Sequence, residues 1–285
     1  MIEGIEFKQG NYGLRAVLKS AWSDQIAREI QTRRCSELEL NRAKGWTGDD
    51  LSFLISCSWL KSFTIVDLEI SSVGPIHALN ELRALEVMTY CRTELRFLAF
   101  PQLEACALEW RPNAESLFEC VTLKSLFVNS YGGRNLVPFS CLTNLESLAV
   151  LNAPIESLDG IESLRKLRTL LLDNLRKLRS LAGVEDLTKL EEIEVHTCRQ
   201  IGSIDEIAAL SNLRRLHLNN DGAIASLKPL DAIGKLESVL FYESTDIVDG
   251  DLSPLMRQKN LARVSFQNRR HYSHRREDFG VAYST

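Results

Sequence analysis

The stretch Leu145–Val150 reads LESLAV, and Leu167–Leu172 reads LRTLLL. The same frame returns as LEEIEV from Leu190, LRRLHL from Leu213, LESVLF from Leu236 and LARVSF from Leu261. Upstream it is found as LKSLFV from Leu123, LEACAL from Leu103, LRALEV from Leu82, LKSFTI from Leu60 and CSELEL from Cys35. The eleven copies follow one another at steps of 20 to 25 residues. Within each copy apolar residues alternate with others, the pattern of a strand with one buried face. One such strand cannot bury that face alone, so the copies are expected to stack into a continuous core.

Between the strand frames, several repeats carry a second ladder with an apolar residue at every third position. Ile155, Leu158, Ile161 and Leu164 form one, Ile201, Ile204, Ile207 and Leu210 a second, and Ile224, Leu227, Leu230 and Ile233 a third. A period of three suits short 3₁₀ turns rather than long α-helices. The alternation in the strands leaves one face of a parallel sheet open, whereas parallel sheets covered on both faces read as unbroken apolar runs.

These residues resemble the leucine-rich repeat family over Cys35 to Gln267, and the short repeats are similar to those of internalins and of phosphatase-1 regulatory repeat proteins. The resemblance implies an α/β solenoid: a horseshoe or arc with a parallel concave sheet and short 3₁₀ or helical convex segments. It also implies a stand-alone bacterial protein that binds rather than catalyses, such as a scaffold or toxin-neutralising (immunity-like) protein. The family's turn-tying Asn or Cys would fall eight residues beyond the first leucine. Here those positions hold Ala43, Leu68, Tyr90, Arg111, Tyr131, Ala153, Leu175, Cys198, Asp221 and Ser244, so only Cys198 fits. The turns therefore need other partners for their backbone groups.

The ends read as caps. In residues 1–34, GIEFK and GLRAVL flank the turn-rich QGNYG as a hairpin. Ser23 then N-caps a helix that carries Ile26, Ala27 and Ile30 on one face. Near the other end, Ser253 reads as an N-cap with Pro254 at the first helical position. After the repeats of 35–267, residues 268–285 begin with NRRHYSHRRED, and Phe279, Val281 and Tyr283 alternate as a tail able to fold back.

Composition narrows the function classes. The chain has 285 residues, 45% apolar and only 7% aromatic, with a net charge of −4. The basic segment Asn268–Asp278 makes the rest more acidic still, which argues against a nucleic-acid binder. Seven scattered cysteines contain no C-x-x-C pair and suit small buried positions in a reducing compartment. Met1–Gly13 has no basic stretch leading into an apolar run, and no segment approaches the ~18 apolar residues of a membrane span. A cytoplasmic protein with no membrane partner is expected, and a secreted adhesin is disfavoured.

The frame also names the concave residues. Phe127, Leu151 and Leu171 are apolar where solvent-facing side chains are expected, and Glu194, His196, His217, Asn219, Leu240 and Tyr242 follow on later strands. An apolar centre with a polar surround is how a protein-contact surface is built. His196 and His217 beside Glu194 invite a metal reading, but an open sheet face lacks enclosure, so no metal or cofactor is expected. Asp246–Asp251 (DIVDGD) lacks the ligand spacing of a calcium loop and reads as a turn. The alternative is an enzyme or metal-dependent protein that uses the His196/His217 pair or the C-terminal His271/His274 segment, where Tyr272, Glu277 and Asp278 would join in if a pocket enclosed them.

Overall fold

The computed structural model describes residues 3–279, which divide into two compact units between Val128 and Asn129. Val281 and Tyr283 of the alternating tail lie outside the described residues.

The first unit opens with a hairpin of β1 (Ile5–Gln9) and β2 (Leu14–Leu18), paired antiparallel with Ile5 opposite Leu18. Helix α1 (Asp24–Thr32) follows, and the Ser23 hydroxyl accepts from the Ile26 N–H at 3.3 Å. Its apolar stripe buries Ile26 and Ile30. The strands β3 (Glu37–Asn41), β4 (Ser62–Val66), β5 (Ala84–Met88) and β6 (Ala105–Glu109) then add in parallel onto β2, and β7 (Ser125–Asn129) ends at the boundary between the units.

In the second unit, β8 (Ser147–Leu151), β9 (Thr169–Asp173), β10 (Glu192–His196) and β11 (Arg215–Asn219) pair in parallel. After the two-residue strand β12 (Ala223–Ile224), the sheet continues through β13 (Ser238–Tyr242). A second short strand, β14 (Asp246–Ile247), pairs with β12, and β15 (Arg263–Phe266) closes the order. All eleven L-x-L frames thus become strands, and the ladders of period three become 3₁₀ turns such as Ile161–Ser163, Asp205–Ala209 and Lys228–Ala232. The inward residues Leu170, Leu172, Ile193 and Val195 are at most 1% exposed. Burial of each contributes roughly 2 kcal/mol.

Two ladders replace the missing asparagines. The inner one uses the polar side chains that some turns supply, while Ala153 and Leu175 fill the same place with apolar groups. Asp67 accepts from the N–H groups of Glu69 and Ile70. Arg111, 2% exposed, donates to the carbonyls of Thr89 and Cys91. Asp221 accepts from the Cys198 N–H at 2.8 Å, while Thr245 accepts from the Asp221 N–H at 3.0 Å. The eight-residue offset lands one residue away from the buried side chain in three turns. Leu68 and Tyr90 are 54% and 67% exposed, and Asp67 and Thr89 go inside instead; Thr245 replaces Ser244.

The outer ladder lies just past the strands. Ser130, Asn152, Asn174, Thr197, Asn220 and Glu243 all have φ between 53° and 61°, the left-handed region that asparagine tolerates best among residues with a side chain. The Asn152 N–H donates to Asp173 O and the Asn174 N–H to His196 O. Their side-chain amides run on from one to the next, Asn174 to Asn152 at 2.6 Å and Asn152 to Asn129 at 2.7 Å.

Ser253 is not the N-cap expected of it. It is the first residue of α2 (Ser253–Met256), and the Asp251 carboxylate accepts its N–H at 2.9 Å. A charged acceptor two residues upstream outcompetes the serine hydroxyl, which instead accepts from Arg257.

Candidate functional site

Strand register sorts the open face of the second unit into three rows. The first runs Ser147–Thr169–Glu192–Arg215–Ser238–Arg263. The second runs Ala149–Leu171–Glu194–His217–Leu240–Ser265, and the third Leu151–Asp173–His196–Asn219–Tyr242. Most of these side chains are half-buried, held on strands whose alternate residues are fully buried.

The rows separate residues that look contiguous in sequence. Leu151 stands opposite Asp173, whereas Leu171 stands between Ala149 and Glu194, so the two leucines meet only diagonally. Leu240 is 5% exposed and offers little surface to a ligand. Tyr242 is half-buried beside Asn219. Phe127 belongs to the first unit, where it lines a groove of about 210 Å³ with Tyr12, Arg15, Ala84, Glu86 and Ala107.

That groove has charged neighbours of its own. Glu37 is fully buried and Glu39 is 5% exposed, although both point to the open face. The hairpin turn comes down on them: the Tyr12 N–H donates to Glu37, and the Arg15 guanidinium reaches Glu37 at 2.7 Å and Glu39 at 3.8 Å. Lys44 adds a second cation to Glu39.

The ionic centre of the second unit lies on β10 and β11. One carboxylate oxygen of Glu194 is 3.5 Å from His196 Nε2 and the other 3.6 Å from His217 Nδ1. Burial lowers the His217 pKa below the ordinary histidine value, outweighing Glu194 and Glu192. Its Nε2 lies 3.3 Å from the Ser238 hydroxyl. Glu192 is held below the usual carboxylate range by the Arg215 guanidinium at 2.7 Å.

NRRHYSHRRED is engaged in closing the repeat stack. Tyr272 lies edge-on to Phe241 and Phe266, and its hydroxyl donates to Asp246 and accepts from the Ile247 N–H, both at 3.1 Å. His271 Nε2 lies 3.1 Å from Ile247 O and 3.2 Å from Asp246. His274 Nδ1 meets the Ser273 hydroxyl at 2.8 Å, and the Ser273 N–H donates to Gly250 O. The acids of DIVDGD are correspondingly occupied. Asp246 faces Arg269, His271 and Tyr272, while Asp251 caps α2.

A parallel strand, a polar-tied turn and a short 3₁₀ segment, repeated at constant spacing, make up the leucine-rich repeat fold. Solved structures share it: an internalin (inlF) from Listeria monocytogenes has a TM-score of 0.64 at 17% identity, covering 80% of this chain and 68% of that one. A leucine-rich repeat protein of Leptospira interrogans gives 0.65 at 16%, over 88% and 65% of the two chains. A protein described as a TDR receptor gives 0.61 at 13%, over 86% and 45%. No protein-family profile matches the chain, and no curated protein matches its sequence. No helix among the described residues is long and apolar enough to cross a membrane.

Proposed function

We propose that this chain is a non-enzymatic binding module that holds a protein partner against the open face of its repeat sheet. The observation that carries the reading is the face of the second unit. Leu151, Leu171 and Tyr242 stand half-exposed beside Glu194, His196, His217 and Asn219 on strands fixed by their buried side chains. Apolar anchors among polar groups on a rigid support are the makings of a contact surface. Phe127, lining the groove of the first unit, is a further contact in this reading. The finer form is a scaffold or a toxin-neutralising, immunity-like protein. Seven free cysteines favour a reducing, cytoplasmic setting for that partner. Catalysis or metal chemistry at His271 and His274 draws little support, because one ring nitrogen of each is already engaged, with Ile247 O and with the Ser273 hydroxyl.

The test is affinity capture from the native host with Leu171→Lys and Tyr242→Ala beside wild type. Lysine at 171 can pair with Glu194, its register neighbour, so the fold is retained. Loss of an anchor costs about 2 kcal/mol or more, roughly a thirtyfold fall in affinity. A Val137→Asp control, 52% exposed on a 3₁₀ segment, should capture the partner as wild type does. Equal recovery by all four proteins would sink the open-face reading.

A further inference from the structure

Glu192 and Glu194 are two residues apart on β10 and project from the same face, and His217 stands directly across from Glu194 on β11. One ligand atom from each of the three lies within 4.8 Å of the others. We infer that Glu192, Glu194 and His217 form a binding site for a divalent cation of zinc type. In a tetrahedral zinc site with bonds of about 2.1 Å, ligand atoms are separated by about 3.4 Å. The Glu194–His217 pair is already at 3.6 Å, and modest carboxylate rotation brings in Glu192.

Two surroundings favour a cation here over a simple polar patch. Ser238, only 7% exposed, holds His217 Nε2 and leaves Nδ1 directed at Glu194, the outer-sphere hydrogen bond that orients a ligating imidazole. Arg215 holds one oxygen of Glu192, and a single guanidinium does not neutralise both acids. Two carboxylates against one guanidinium leave the cluster net negative. A nitrogen donor among the three selects zinc over magnesium or calcium, which prefer all-oxygen shells. The fourth position faces the open side of the sheet. His196, 3.5 Å from Glu194, is the nearest further donor on that strand. The inference rests on side-chain geometry and needs no protein partner.

Equilibrium dialysis of the chelator-treated, tag-free full chain against zinc chloride tests it. One zinc per chain is expected, with Kd on the order of 10 μM or tighter. Glu194→Gln, which keeps the side-chain shape, and His217→Ala should each weaken binding at least tenfold, by analogy with the ~10–100-fold cost of lost outer-sphere partners. Ser238→Ala, which removes a positioning hydroxyl, should weaken it by about tenfold while unfolding at the wild-type temperature. His271→Ala with His274→Ala should leave binding unchanged. Cobalt in place of zinc should give a spectrum without a thiolate-to-metal charge-transfer band, a wild-type readout that no misfolded variant can confuse. Absence of saturable uptake up to about 100 μM zinc, uptake unaltered in both Glu194→Gln and His217→Ala, or a thiolate band would overturn the site.

Discussion

Asp221→Asn is expected to be more stable than wild type at pH 8 and to lose that advantage by pH 4. Asp221 is 1% exposed, and burial pushes its carboxyl up to about 7, against hydrogen bonds from the Cys198 and Asn219 backbone that favour the charged form. An unfolded aspartate ionises near 3.9. Between these values the folded chain keeps a proton that the unfolded chain has released, so wild-type stability falls as pH rises from about 4 to about 7 and then levels off. The shift corresponds to at most about 4 kcal/mol. Asparagine keeps the Oδ1 that accepts from the Cys198 N–H at 2.8 Å and has no charge to bury. Urea unfolding of both proteins across pH 4–8 checks this, because other titrating groups cancel in the difference. A difference that does not change with pH would show that Asp221 titrates normally.

Gly160→Ala should cost about 2–5 kcal/mol, from left-handed backbone strain and a steric clash together. Gly160 has φ +101°, and an added Cβ would lie 2.5–2.6 Å from Leu136 O, Leu136 C and Val137 Cα. These are backbone atoms of the preceding repeat, which cannot rotate aside as a side chain can. Gly234→Ala is the control, since a Cβ there meets nothing within 4 Å. Thermal melts should separate the two by several degrees. Coincident melts would mean that the 136–137 backbone yields easily.

The strands were legible because each is short, its inward positions are nearly all apolar, and its repeat length hardly varies. Turn chemistry was less so. A fixed offset cannot follow turns whose buried side chain comes one residue early, as at Asp67 and Thr89, or one late, as at Thr245, so it falls on Leu68, Tyr90 and Ser244 instead. The outer ladder did leave a signal, asparagine seven residues beyond the first leucine at Asn152, Asn174 and Asn220. Frame alignment placed Glu194, His196, His217 and Asn219 on one face, but it did not say which stand directly opposite. That depends on register, which sets Leu151 against Asp173 and His217 against Glu194. The burial of Leu240 and the hairpin over Glu37 are tertiary events that no local period records.

Parallel pairing between successive repeats also has a kinetic meaning. Strand partners are 21 residues apart for Ala84 and Ala105 and 25 for Glu37 and Ser62 or Ser238 and Arg263. Against a length of 285 residues that separation is about 0.08, within the range of helical bundles and well below the ~0.16–0.22 of sandwiches and barrels. A sheet-rich chain therefore folds without long-distance searches. The slow step is the first association of neighbouring repeats, and each later addition closes a loop of about the same length.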